Sequence, residues 1–166
     1  MKRIGVLTTG GDAPGMNAAI RSVVRCGINR KLEVFGVLRG WWGLINEDLK
    51  LLDSRSVSGI INQGGTVLKT ARCLEFETHE GQERALANVR KLALDGLVVI
   101  GGNGSFTAAH IFGIKYGIPC IGVPASIDND INGIDFTIGS DTAINTALAA
   151  IDNIRDTATS MERIFV

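Results

Sequence analysis

An α/β fold is what this sequence predicts: a doubly wound, mostly parallel sheet with helices on both faces, Rossmann-like in plan. Three observations carry that prediction. Continuous apolar runs of strand length recur along the chain, stretches of helical period separate them, and glycine-rich segments directly follow two of the runs. Strands buried on both faces read as unbroken apolar runs, and parallel neighbours need long, usually helical, crossovers.

The elements follow in order. Ile-Gly-Val-Leu at 4–7 is the first strand, and the glycine loop 9–15 opens a helix over 16–29. Residues 33–38 form the next strand. Residues 82–94 set Leu86, Val89 and Leu92 at helical spacing ahead of the apolar strand 97–100. Gly-Gly-Asn-Gly-Ser at 101–105 leads into a helix over 105–116, then a strand over 120–123. The last long helix starts near Asp141, with Ile144, Leu148, Ile151 and Ile154 as one stripe. Between 39 and 70 the pattern is less regular, marked by Trp41-Trp42-Gly43 and Gly64-Gly65-Thr66. Met161 to Val166 reads as the start of another strand, so the chain is expected to be a fragment that stops in mid-element.

Composition narrows the function. A chain of 166 residues with 45% hydrophobic content can bury a core of its own. Seventeen basic against seventeen acidic residues argue against a nucleic-acid backbone or an anionic membrane as the main partner. No apolar run approaches the ~20 residues that span a bilayer, and the N-terminus reaches glycines too early for a signal peptide. Cys26, Cys73 and Cys120 are far apart and lack CxxC spacing, which points away from a disulfide framework or a zinc site. A cytoplasmic location is expected.

In parallel α/β sheets, ligands bind at the carboxyl ends of the strands. Three loops of unusual composition fall there: 9–17, 101–105 and 124–130. Glycines in the first two let backbone N–H groups approach an anion, and each helix N-terminus behind them adds about half a positive charge. Two such loops suggest a ligand with several phosphates; the plain alternative is a pair of tight turns needing positive φ. A Walker A loop is excluded because no lysine follows a glycine. The dinucleotide pattern is only approximated from Gly102, since Thr107 stands where its third glycine belongs. The third loop carries Asp128 and Asp130, which could take a proton from a hydroxyl or hold magnesium, with Asn129 orienting either carboxylate. Asp/Asn pairs are also ordinary turn formers.

Taken together, GGDAPGMNAAIR at 10–21, GGT and TAR within 64–72, LVVIGGNGS at 97–105, IDNDI at 127–131 and IRDTATSMER at 154–163 resemble the ATP-dependent 6-phosphofructokinases over essentially the whole chain. The resemblance implies that residues 1–166 are a nucleotide-binding α/β domain, with about 139–166 leading into a sugar-phosphate domain. It implies ATP binding by Gly11, Arg72, Cys73, Gly102, Asn103, Gly104 and Ser105, with Arg72 also offsetting charge on the transferring phosphoryl group. Asp128 would be the base for the sugar 1-hydroxyl, with Ser126, Ile127 and Asp130 beside the substrate and Arg163 on the 6-phosphate of fructose 6-phosphate. Arg21, Arg25, Arg55 and Arg155 would bind a phosphorylated allosteric effector, a nucleotide or metabolite; from spacing alone, Arg21 and Arg25 are equally a solvated cationic face. Magnesium with ATP, ADP as product and a homotetramer are implied as well.

Two departures from the family pattern stand out. Asn103 replaces the aspartate that the family ties to magnesium, leaving a neutral oxygen ligand that should hold the cation less tightly. Ala125 and Ser126 replace Gly-Thr, and Gly104 with Ala125 favours ATP over diphosphate as donor. The remaining alternatives are a weakened, regulatory nucleotide-binding module, a diphosphate-dependent enzyme and a dinucleotide binder.

Overall fold

Glycine at position 5 and β-branched residues around it let the first apolar run pack tightly between two neighbours. In the computed structural model, which describes residues 2–165, this run is β1 (Arg3–Thr8). It pairs in parallel with β2 (Glu33–Val37), Val6 opposite Gly36, and with β4 (Leu97–Gly101), Val6 opposite Val98. β4 pairs in parallel with β5 (Cys120–Ser126), and β5 with the two-residue β6 (Ile138–Gly139). β3 (Leu49–Leu52) lies antiparallel on the far edge beside β2, giving the order β3-β2-β1-β4-β5-β6.

That order reverses between β1 and β4. The chain steps one way from β1 to β2 and the other way from β4 to β5, so right-handed crossovers send their helices to opposite faces. α1 (Met16–Asn29) covers one face, burying Met16, Ile20 and Val24 against Ile4, Val6 and Val34. α3 (His79–Lys91) and α4 (Asn103–Tyr116) cover the other, with Leu86, Val89 and Phe112 on Leu7 and Val99. Val6 and Leu7 join different cores because successive strand side chains point to opposite faces.

The doubly wound prediction holds, with several local differences. α2 (Trp41–Ile45), β3 and a 3₁₀ turn at Leu74–Glu77 organise the stretch that looked irregular. A β-carbon at Gly43 would lie 1.8 Å from the Leu38 carbonyl oxygen, so the α2–β3 corner closes only around glycine. α3 begins three residues before the expected start because Thr78 caps it, its hydroxyl accepting from the Gly81 N–H at 3.0 Å. β5 runs on through Pro124 to Ser126, since β6 pairs with its last two residues.

The expected strand from Met161 is corrected. Met161 is the last residue of α5 (Ser140–Met161), Glu162 turns left-handed, and residues 163–165 form no regular element, while Val166 lies outside the described residues. The Arg163 N–H closes the helix on the Ala158 carbonyl at 3.0 Å, and a strand needs a ladder partner that this segment does not meet among the described residues. The stripe on α5 exists but is not buried: Ile144, Leu148, Ile151 and Ile154 are about half exposed.

Candidate active site

A cleft of about 700 Å³ opens over the carboxyl ends of β1, β4 and β5. Its floor comes from two glycine turns joined to each other. Ser105, buried in the first turn of α4, donates its hydroxyl to the Thr9 carbonyl at 3.0 Å. Gly101 permits that approach, since a β-carbon there would sit 2.5 Å from both the Thr9 carbonyl oxygen and Ser105 Oγ. Gly11 and Gly104 differ in kind: among the described residues an added β-carbon at either would meet nothing within 4 Å. The first N–H groups of α4 have no partner inside the helix, and no acidic side chain in its first turn offsets their positive end.

A third wall is the segment after β5. Ser126, Ile127, Asp128 and Asp130 all line the cleft. The Asn103 amide donates to the Asp130 carbonyl at 3.2 Å, tying this segment to the α4 N-terminus. The fourth wall brings in Arg72 and Cys73 from far along the sequence. The Asn17 side chain, 1% exposed, donates to the Gln63 carbonyl at 3.0 Å and accepts from the Val67 N–H at 2.8 Å. Thr70 then donates its hydroxyl to the Gly10 carbonyl at 2.6 Å, fixing the approach to Arg72.

Every residue expected at the nucleotide and the reacting groups therefore meets in one cleft: Gly11, Arg72, Cys73, Gly102, Asn103, Gly104, Ser105, Ser126, Ile127, Asp128 and Asp130. The Ser105 hydroxyl is engaged with Thr9, so this residue can offer an anion its N–H while its side chain holds the two turns together. The remaining arginines lie elsewhere. Arg163 follows α5 and is exposed. Arg21 donates to the Val57 carbonyl at 2.5 Å, which sets it against the turn that Arg55 opens, and Arg25 is exposed one helical turn further on. Arg155 is on α5, 3.3 Å from Asp152.

Reading the residues alone missed an aromatic wall. Trp41 and Phe76 stack with ring centroids 4.1 Å apart and planes 15° from parallel, and both line the cleft together with Leu74 and Ala108. Trp41 follows β2 at its carboxyl end, a position that could have flagged it; nothing in the sequence announces Phe76.

The ionisable lining is Asp12, Glu77, Asp128 and Asp130 against the single guanidinium of Arg72. Burial pushes the Cys73 thiol above its ordinary value. Among the described residues no group of three or more His, Cys, Asp or Glu side chains is placed to hold a metal. Hard carboxylate oxygens do suit magnesium, which is commonly held by one or two of them with the rest of its shell from substrate phosphates and water. The arrangement fits a cation that arrives with a phosphorylated ligand. Chemically, the cleft offers amide donors for phosphates, an apolar side where Leu74 and Ala108 flank the nearly buried Trp41–Phe76 pair, and carboxylates for a hydroxyl.

Comparisons with known proteins point to one family. A sequence model of the family described as Phosphofructokinase matches residues 3–166. ATP-dependent 6-phosphofructokinases from Cytophaga hutchinsonii and Bacillus subtilis are each 58% identical, over 99% and 100% of this chain. The match covers 50% and 52% of those proteins, so the chain spans about half the length of the curated relatives it matches. Among solved structures, phosphofructokinase from Saccharomyces cerevisiae superposes with a TM-score of 0.92 at 38% identity, covering 96% of this chain and 25% of that one. A pyrophosphate-dependent phosphofructokinase from Nitrosospira multiformis, with a TM-score of 0.80 at 20% identity, covers 95% of this chain and 43% of that one and shares the fold.

Proposed function

The chain belongs to the phosphofructokinase family, and from that premise we propose that the protein carrying it transfers the γ-phosphoryl of MgATP to the 1-hydroxyl of fructose 6-phosphate. The products are ADP and fructose 1,6-bisphosphate. The observation that carries this reading is that Asp128 lines the same cleft as both glycine turns.

The triphosphate lies across the loop that precedes α1 and the N-terminus of α4, with backbone N–H groups around Gly11 and Gly102–Ser105 donating to its oxygens. The base rests against the apolar side of the cleft at Leu74 and Ala108, which the buried Trp41–Phe76 stack backs. Arg72 offsets charge that spreads over the transferring group. Asp128 accepts the proton of the attacking hydroxyl, while Ser126, Ile127 and Asp130 border the sugar. Magnesium, when bound, neutralises phosphate charge; its protein ligands would be carboxylates of the third wall, with the Asn103 amide oxygen as a weak contributor. With four carboxylates lining the cleft against one guanidinium, a nucleotide without its cation would be repelled.

Outside the cleft, Arg163 is assigned to the sugar 6-phosphate, supplied across a subunit boundary. Arg21, Arg25, Arg55 and Arg155 form a phosphorylated effector's site; the contact of Arg21 with the Arg55 turn supports the first part of that grouping. A cytoplasmic homotetramer is the assembly this implies. ATP rather than diphosphate is supported by the donor named for the 58% identical relatives.

Turnover by the intact protein, measured as ADP release, tests the reading beside calorimetry with ATP and magnesium. Asp128→Asn should lower kcat by about 10²–10⁴-fold with little change in ATP affinity. Undiminished turnover in that variant would remove Asp128 as the base. Nucleotide binding without turnover in the unaltered protein would instead favour a regulatory module.

A further inference from the structure

Asn129 stands between the two carboxylates of the third wall yet is not part of the cleft lining. Its backbone is left-handed, with φ of +50°. A β-branched or bulky residue is strained in that region, whereas asparagine enters it readily. Its side chain is fully committed away from the cleft. Oδ1 accepts from the Thr137 N–H at 2.8 Å, and Nδ2 donates to the Asp135 carbonyl at 3.3 Å. The Thr137 hydroxyl donates to the Ser126 carbonyl at 2.6 Å, and Thr137 is only 5% exposed. One side chain thus joins the outgoing end of the loop at 126–130 to its return at 135–137, just before β6 closes the sheet.

Asp128 and Asp130 themselves are exposed, and few contacts hold them. The Asp128 N–H bonds Ser126 Oγ at 3.2 Å, and the Asp130 carbonyl accepts from Asn103. Without the outer tie, the carboxylates would ride on a loop fixed only at its ends.

We propose that Asn129 is the positioning residue for the reaction: its left-handed backbone and its bonds to Asp135 and Thr137 hold Asp128 and Asp130 facing the cleft. This rests on the reading of Asp128 as the base. Asn129 does not line the cleft, so its effect falls on the chemical step. Misplacement of a reacting group by about 1 Å can cost on the order of 10²-fold in rate.

The test compares Asn129→Ala, Asn129→Gly, Asn129→Asp and Thr137→Val in the intact protein. Readouts are kcat, KM for both substrates, and the ATP dissociation constant by calorimetry. Wild-type turnover and its loss in Asp128→Asn check the underlying reading separately. Asn129→Ala should lower kcat about 10–100-fold while ATP affinity stays within about twofold. Asn129→Gly, which restores the backbone conformation without the tie, should recover only part of the loss. Asn129→Asp, which keeps an acceptor for the Thr137 N–H, should exceed alanine. Thr137→Val leaves residue 129 untouched and should reproduce a smaller kcat loss, keeping the test open should Asn129→Ala fail to fold. Wild-type kcat in Asn129→Ala, full recovery with glycine, or a fall in ATP affinity matching that in kcat would each overturn the proposal.

Discussion

Replacing Gly104 by alanine separates a glycine kept for a ligand from one kept for the fold. Gly104 is the second residue of α4, lines the cleft, and has open space where its β-carbon would project. Alanine inside a helix is more favourable than glycine by about 0.5–1 kcal/mol, so the fold should keep or slightly gain stability. The new methyl would stand where a phosphate oxygen must approach the helix N–H groups. Losing one charge-assisted hydrogen bond costs about 1.5–3 kcal/mol, which is roughly 10–150-fold in affinity. Gly101→Ala is the opposite case, with its methyl 2.5 Å from the Thr9 carbonyl oxygen. Overpacking of about 1–3 kcal/mol, with damage to the Ser105–Thr9 bond of about 0.5–1.5 kcal/mol, should lower stability by roughly 2–4 kcal/mol. Thermal melting and calorimetric titration with ATP in excess magnesium read both quantities. Wild-type ATP affinity in Gly104→Ala would refute the idea that this turn cradles phosphate.

Two further outcomes follow from the same contacts. Asn17→Ala strips the partners from the Gln63 carbonyl and the Val67 N–H in a site that is 1% exposed; urea unfolding should show a loss of about 2–4 kcal/mol, and a change below 1 kcal/mol would mean the segment bearing Arg72 is anchored elsewhere. Burial pushes the Cys120 thiol up to about 11 and raises that of Cys73, whereas Cys26 is exposed. Because the thiolate is the reactive form, alkylation at pH 8 followed by peptide mapping should modify Cys26 first and Cys120 last. Cys120 labelling should accelerate only as the pH climbs towards its raised value, and saturating MgATP should protect Cys73 alone; equal labelling of Cys73 with and without nucleotide would place the ligand outside the cleft.

Much of this was legible without coordinates because the signals were local. Continuous apolar runs located β1, β2, β4 and β5, helical spacing located α3, and the glycine loops ahead of them located α1 and α4. The glycine turns and the Asp128–Asp130 pair were visible for a related reason: each sits directly after a strand, where chain order alone puts it on the ligand-binding rim. The stripe on α5 was read correctly as periodicity, but periodicity cannot say whether a partner surface is present, and here the stripe is left half exposed. The strand expected from Met161 failed on the same point, because apolar β-prone residues become a strand only beside a strand.

What the sequence by itself determined is the order of the main elements and the chemistry of the three loops. Both follow from patterns spanning a few residues. Tertiary structure alone decided the strand order and with it the face each helix takes, that Arg72, Cys73 and the Trp41–Phe76 pair close the same cleft, and that Asn17, Thr70, Asn103 and Ser105 bind its walls together. Those contacts join residues as many as 96 positions apart, and each depends on a side chain meeting one particular backbone carbonyl or N–H group. Such a meeting is fixed by packing in three dimensions and leaves no periodic trace along the chain.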